Sequence, residues 1–195
     1  MSRHGSPSIE KSPALSSDSV TDGYAWIVAV AILSGIAVTY ARMPLHLPGH
    51  KVLWWMAPLL ATQLLTRTAA ASTVGSIVVL ATTLSLGGRI AGGPFFAPLI
   101  VPAAVLLDLC VRLSERRNYS PWQRIVILAL AGMLGNTICS IKQILETSAT
   151  ASSSGPTNDL LIAVASYALF GLIAGALGAA VGYGLFRFRG AAERL

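Results

Sequence analysis

Charge is what this sequence has least of. Fourteen lysines and arginines and eight aspartates and glutamates make up 11% of its 195 residues, against roughly a quarter in a soluble globular domain. So few charges, separated by long uncharged intervals, exclude an ordinary soluble domain and indicate an integral membrane protein. Cysteine is limited to Cys110 and Cys139. Two thiols in separate apolar segments, near opposite faces, exclude a disulfide framework and read as small buried apolar side chains. Catalytic signatures are missing as well: there is no G-x-S-x-G, no H-E-x-x-H and no pair of carboxylates inside an apolar run, so no enzymatic activity and no bound cofactor are expected. The phosphate-loop pattern G-x-x-x-x-G-K-[ST] is also missing, so any ATP-driven role needs another subunit. An isoelectric point near 9.8 suggests nucleic acid, but the basic residues sit at the ends of apolar segments instead of forming a patch, and nucleic acid is not an expected partner.

What the sequence does have is apolar length. Residues 23–41, 52–66, 68–88, 90–107, 125–141 and 160–186 are uncharged. At about 1.5 Å per helical residue these runs reach roughly 22 to 40 Å, against a hydrocarbon core of about 30 Å. Rich in Ala, Leu and Gly and without polar alternation, they read as helices and not as strands. The expected fold is therefore an all-α integral membrane protein, a six-transmembrane-helix bundle. Residues 1–22, rich in Ser and Pro, read as a disordered cytoplasmic tail; 23–188 form the membrane domain and 189–195 a short cytoplasmic tail.

Orientation follows from the basic residues. With the N-terminus inside, the cytoplasmic side holds Arg3, Lys11, Arg67, Arg112, Arg116, Arg117, Arg124, Arg187, Arg189 and Arg194. The outer side then holds only Arg42, Lys51, Arg89 and Lys142. That asymmetry favours both termini in the cytoplasm. Aromatic residues gather at the outer boundary as Tyr40, Trp54, Trp55, Phe95 and Phe96.

Several residues stand out within this frame. His46 and His50 are four apart, but Pro48-Gly49 between them breaks any helix, so metal ligation from that spacing does not apply; they read as interfacial polar groups or contacts to an organic ligand. Trp54 and Trp55 read as an interfacial anchor or an aromatic wall. Asn136, Ser140 and Gln143 fall on one face of the fifth run with Lys142 beside it, suited to an interhelical hydrogen bond or a ligand. Asp108 precedes Arg112 by four residues, the spacing of a local ion pair. Gly171, Gly175, Gly178 and Gly182 suit close packing of the last helix within the bundle. In the first run, Ala25, Ala29, Ala31 and Gly35 offer either internal packing or a docking face for another membrane protein.

Three stretches, LPGHKVLWWMAPLLATQLL, TAAASTVGSIVVLATTL and GGPFFAPLIVPAAVLLDL, together with Ala25-xxx-Ala29 and Ala31-xxx-Gly35, resemble the substrate-binding S components of energy-coupling factor vitamin transporters. The resemblance spans residues 24 to 188. It implies six helices in the cell membrane with both termini cytoplasmic, and capture of a small vitamin-like or heterocyclic metabolite at the outer face. A membrane T component and cytoplasmic ATPase subunits would drive uptake, the T component docking on Ala25, Ala29, Ala31 and Gly35. The implied substrate site, under the first outer loop, holds His46, His50, Trp54, Trp55, Phe95, Asn136, Lys142 and Gln143. The beginning MSRHGSP lacks the early Met-His pattern of the branch that carries cobalt and nickel. A structural or assembly subunit of a larger membrane complex is the alternative expectation.

Overall fold

A computed structural model describes residues 17–41, 48–90, 93–117, 119–142, 144–145 and 157–192. Among the described residues it is all-helical, with no strand. Six long helices follow one another: α1 (Ser17–Tyr40), α2 (Val52–Thr66), α3 (Ala71–Ser85), α4 (Ile100–Arg116), α5 (Pro121–Ile138) and α6 (Thr157–Ala192). Three segments are long and apolar enough to cross a membrane: Thr21–Tyr40, Ala97–Arg116 and Leu160–Phe188. At 15 residues each, α2 and α3 span only about 22 Å.

Helix positions follow the uncharged runs with instructive departures. Helix α1 already begins at Ser17 and α6 continues to Ala192, outside the expected domain limits of 23 and 188. The fourth run is a helix only in its second half. Gly93 at φ +137°, Pro94 and Pro98 hold its beginning in turns and a 3₁₀ segment (Ala97–Leu99). Helix α4 then runs on through Asp108, Arg112 and Glu115 to Arg116, because charge ends a hydrophobic run without ending a helix.

Successive helices run in opposite directions. Tyr24, early in α1, donates its hydroxyl to the carbonyl of Ala69 beyond the end of α2, and Arg67 stacks on Phe186 near the end of α6. The beginning of α1 and the end of α6 therefore share one end of the bundle. The core is built on Met56, Leu59, Leu60, Val79, Ile100, Leu107 and Leu128, all buried.

Small residues set the helix spacing. A Cβ on Gly171 would lie 2.7 Å from Asn136 Cβ and against the carbonyl oxygen of Gly132; one on Gly175 would lie 2.9 Å from Ala129 Cα. Optimal carbon contacts are about 3.5–4.0 Å, so α5 and α6 meet backbone to backbone. Gly178 and Gly182 do the same for α6 on α2, beside Ala57 and Leu64. The glycine ladder of the last helix is internal packing, as its spacing suggests.

Asp108 departs from the expected ion pair. Its carboxylate, 5% exposed, accepts the backbone N–H of Ser72 at 3.0 Å and of Thr73 at 2.9 Å, together with the Thr73 hydroxyl. Arg112 points into the surroundings. The first turn of α3 has unpaired N–H groups and a partial positive charge but no cap of its own, since Ala70 supplies no side-chain acceptor. A carboxylate from the neighbouring helix supplies it. Ser72 in turn donates to Gln63 Oε1 at 2.5 Å, so α2, α3 and α4 share one buried polar cluster.

Candidate functional site

At the end of the bundle where α2 begins lies a cleft of about 290 Å³. Its buried lining is Val52, Trp55, Ile90, Ile100, Asn136, Cys139 and Tyr167; Pro48, Gly49, His50, Lys51 and Arg89 are its less buried members. The lining thus comes from two loops and from α2, α4, α5 and α6.

The first loop is fastened down at Gly49. Its φ of +86° is a left-handed conformation that favours glycine, and a Cβ there would come within 2.9 Å of the Tyr167 backbone. The turn is thereby pressed onto α6. Asn136, 3% exposed, ties it from the other side: Nδ2 donates to the carbonyl of Tyr167 at 2.7 Å and to that of Gly49 at 3.4 Å. With both N–H hydrogens committed, the Oδ1 acceptor is what this amide can offer a ligand. His50 sits edge-on to Phe170, with ring centroids 6.3 Å apart.

Lys51 joins the two loops, donating from Nζ to the carbonyl of Arg89 at 2.7 Å. Burial lowers its pKa from the ordinary 10.5, since desolvation disfavours the ammonium form. Lysine, arginine and histidine thus border the cleft, and no carboxylate lines it among the described residues. The wall is otherwise aromatic and aliphatic. The arrangement offers cationic groups beside flat apolar surface. No group of three or more metal-ligating side chains occurs among the described residues.

Of the eight residues expected at the substrate site, His50, Trp55 and Asn136 meet in this cleft. Trp55 is a core residue, 2% exposed, and contributes one face. Trp54 points along the flank of α2 and packs partly against the core, its buried Nε1 without a hydrogen-bond partner among the described residues. Phe95 is 93% exposed, because the turn after Gly93 carries it outward. Lys142 lies beyond the end of α5 and does not line the cleft. His46 and Gln143 are outside the described residues.

The reading by residue type missed Lys51, Arg89, Tyr167, Ile90, Ile100 and Cys139. Lys51 and Arg89 entered it only as outer-side charges, and Tyr167 is a phenol within an otherwise apolar run. Ile90, Ile100 and Cys139 are apolar positions that only the packing brings together.

The four residues expected to dock a partner divide. Ala31 and Gly35 face inward; Ala31 is fully buried, and a Cβ on Gly35 would lie 2.7 Å from Thr82 of α3. Ala25 and Ala29 face outward beside the exposed Trp26, bordering a shallow groove with Asp22. The small residues of α1 therefore serve two different faces.

Compared with protein-family models, with curated proteins and with solved structures, the chain matches none.

Proposed function

We propose that this protein is a membrane-embedded substrate-binding subunit that captures a small carboxylate-bearing, flat-bodied metabolite in the cleft under its first loop. The observation that carries the reading is the convergence of His50, Lys51, Arg89, Trp55 and Asn136 on one cleft of about 290 Å³. That volume lies at the small end of ligand pockets, about 300–1,000 Å³, and suits a one-ring metabolite better than a dinucleotide. Lys51 and Arg89 supply charge for a carboxylate, Asn136 an acceptor, and Trp55 and Tyr167 flat apolar surface.

In this reading all six helices cross the membrane and both termini are cytoplasmic. Lys51 and Arg67, at the two ends of the short α2, reach to the interfaces. The cleft then opens outward, on the side poor in basic residues. The loose resemblance to S components of energy-coupling factor transporters supplies the rest of the proposal: ATP-driven uptake powered by a T component and ATPase subunits. The exposed Ala25–Ala29 edge of α1 is then the docking face. That same edge also supports the alternative, a structural or assembly subunit of a larger membrane complex.

The test is a binding panel of vitamin-like carboxylates on detergent-purified protein, read by native mass spectrometry and calorimetry. His50→Ala and Lys51→Met, at the cleft, should each weaken binding tenfold or more. Phe95→Ala and Lys142→Ala, outside it, should leave affinity unchanged. Retention of no metabolite across the panel, or equal losses from all four variants, would defeat the proposal.

A further inference from the structure

A second cleft, larger than the first at about 580 Å³, lies at the opposite end of the bundle. Helices α2, α4, α5 and α6 connect the two clefts, entering this one through Leu64, Glu115, Pro121 and Tyr183. Three arginines from three different elements converge on it: Arg67 after α2, Arg124 in the first turn of α5 and Arg187 near the end of α6. Glu115 is the one carboxylate among its described lining residues, so the surround is net positive.

Two of these arginines are positioned by the protein. Arg67 occupies a left-handed backbone conformation, φ +53°, where glycine is the usual choice at a helix end. Its guanidinium lies over the Phe186 ring, 4.4 Å from the centroid, which covers its flat face and leaves the N–H edge for an acceptor. Arg124 donates from Nε to the carbonyl of Tyr119 at 3.2 Å, leaving its terminal nitrogens.

An independent observation comes from Tyr183, which lines the same cleft. Its hydroxyl is buried and has no hydrogen-bond partner among the described residues. Buried hydroxyls without a partner are rare, and each calls for an explanation. A ligand oxygen that meets it after a small turn of the ring toward the cleft supplies one.

We infer that this cleft binds a phosphate group, with the Arg67, Arg124 and Arg187 guanidiniums as its charged donors and the Tyr183 hydroxyl as a further one. Guanidinium forks match the paired oxygens of a phosphate, and the cleft is wide enough for a phosphate carrying an organic substituent. The group can belong to an anionic phospholipid of the adjacent leaflet, as basic pockets between membrane helices accept, or to a soluble phosphate. The chemistry at the arginines is the same. The inference does not depend on the metabolite proposed for the other cleft.

Thermal stability of the full-length protein in a neutral detergent, with inorganic phosphate or with phosphatidylglycerol-doped micelles, tests it. Sodium chloride at matched ionic strength and phosphatidylcholine are the respective references. At least one phosphate source should raise the melting temperature above its reference, and Arg67→Gln combined with Arg187→Gln should weaken the midpoint concentration tenfold or more. Should that pair fail to fold, Arg187→Gln alone, at an exposed position, serves in its place with an expected loss of threefold or more. Tyr183→Phe should weaken the midpoint several-fold while leaving the phosphate-free melting temperature equal or higher. Stabilisation by the lipid alone assigns a headgroup; stabilisation by inorganic phosphate without further gain from the lipid assigns a soluble ligand. No stabilisation from either source, or a midpoint unaffected by the arginine variants, would overturn the site.

Discussion

The carboxylate of Asp108 gives the most direct test of how the bundle is held. Replacing it with alanine removes the acceptor for the backbone N–H groups of Ser72 and Thr73. Ser72 is fully buried and Thr73 partly so, and neither residue has an intrahelical acceptor for its N–H in the first turn of α3. Each buried donor left unpaired costs about 1–3 kcal/mol. The Thr73 hydroxyl can rotate to another acceptor and adds little to this cost. Offsetting this, the variant no longer desolvates a carboxylate, so the net loss should be about 3 kcal/mol. For a chain of this size that corresponds to roughly 6–12 °C in melting temperature. Asp108→Asn keeps one acceptor but turns an N–H₂ toward a donor, and should fall between wild type and alanine. Arg112→Ala is the decisive control: as an exposed residue it should shift stability by no more than about 0.5 kcal/mol. The assay is thermal unfolding of the three variants in one detergent. If Arg112→Ala destabilises as much as Asp108→Ala, the carboxylate is held by a local ion pair and the capping account is wrong.

Other expectations follow from the same geometry. Gly175→Ala should cost about 1–3 kcal/mol by overpacking the α5–α6 contact. Gly184→Ala, with no atom within 4 Å of the added carbon, should gain about 0.5–1 kcal/mol from helix propensity, and the contrast is read from paired melting curves. Asn136→Leu should lose both the proposed ligand acceptor and the tie to Gly49, weakening ligand binding and increasing hydrogen exchange at residues 49–51 together; unchanged exchange would separate the amide from the loop. Because burial lowers the pKa of Lys51, the folded chain releases that proton below pH 10.5 while the unfolded chain keeps it. The Lys51 contribution to stability of the unliganded protein should therefore rise with pH between the folded-state pKa and 10.5. Affinity for a carboxylate should fall over the same window, and Lys51→Met should flatten both trends. On the proposed transport reading, Ala29→Leu, at the outward edge of α1, should block partner docking and uptake with ligand binding intact. Gly35→Leu should instead destabilise the fold, since it collides with Thr82.

Much of the helix plan was legible because uncharged length is a strong signal in a charge-poor chain, and five of the six runs became helices over most of their length. The failures have local causes. Run 90–107 was read as one element because its boundaries were drawn at charges, whereas Gly93, Pro94 and Pro98 determine where α4 starts. The ion pair between Asp108 and Arg112 was inferred from spacing on one helix. Spacing is silent about a second helix, and the uncapped start of α3 made the stronger claim on the carboxylate. The inward face of α5 was half legible: Asn136 is expensive to bury without partners, so it had to point inward. Phe95 and Lys142 were assigned by their end of the molecule alone, and being at the right end does not place a side chain in a cleft. Tyr167 required knowledge that α6 lies across α5, which the glycines of the two helices permit but do not position.

The two clefts bear on each other through what lies between them. Both are bounded by α2, α4, α5 and α6, and α6 rests on α5 and α2 through Gly171, Gly175, Gly178 and Gly182 with backbone atoms in contact. A seam this close, with backbone and the stems of Asn136, Leu60 and Leu64 against the glycines, has little slack, so sliding one helix along another would separate surfaces that little else could fill. Compliance is more available in the connections, where Lys51 joins two loops by a single hydrogen bond to Arg89 and Asn136 holds Gly49 at 3.4 Å. On the proposed reading, a ligand entering beneath Gly49 competes with the loop's hydrogen bonds and its packing on α6, and not with the helix seam. On the proposed reading, residues 48–51 and their neighbours at 89–90 are the parts expected to move when the first cleft takes a ligand, over the helix scaffold that both clefts share.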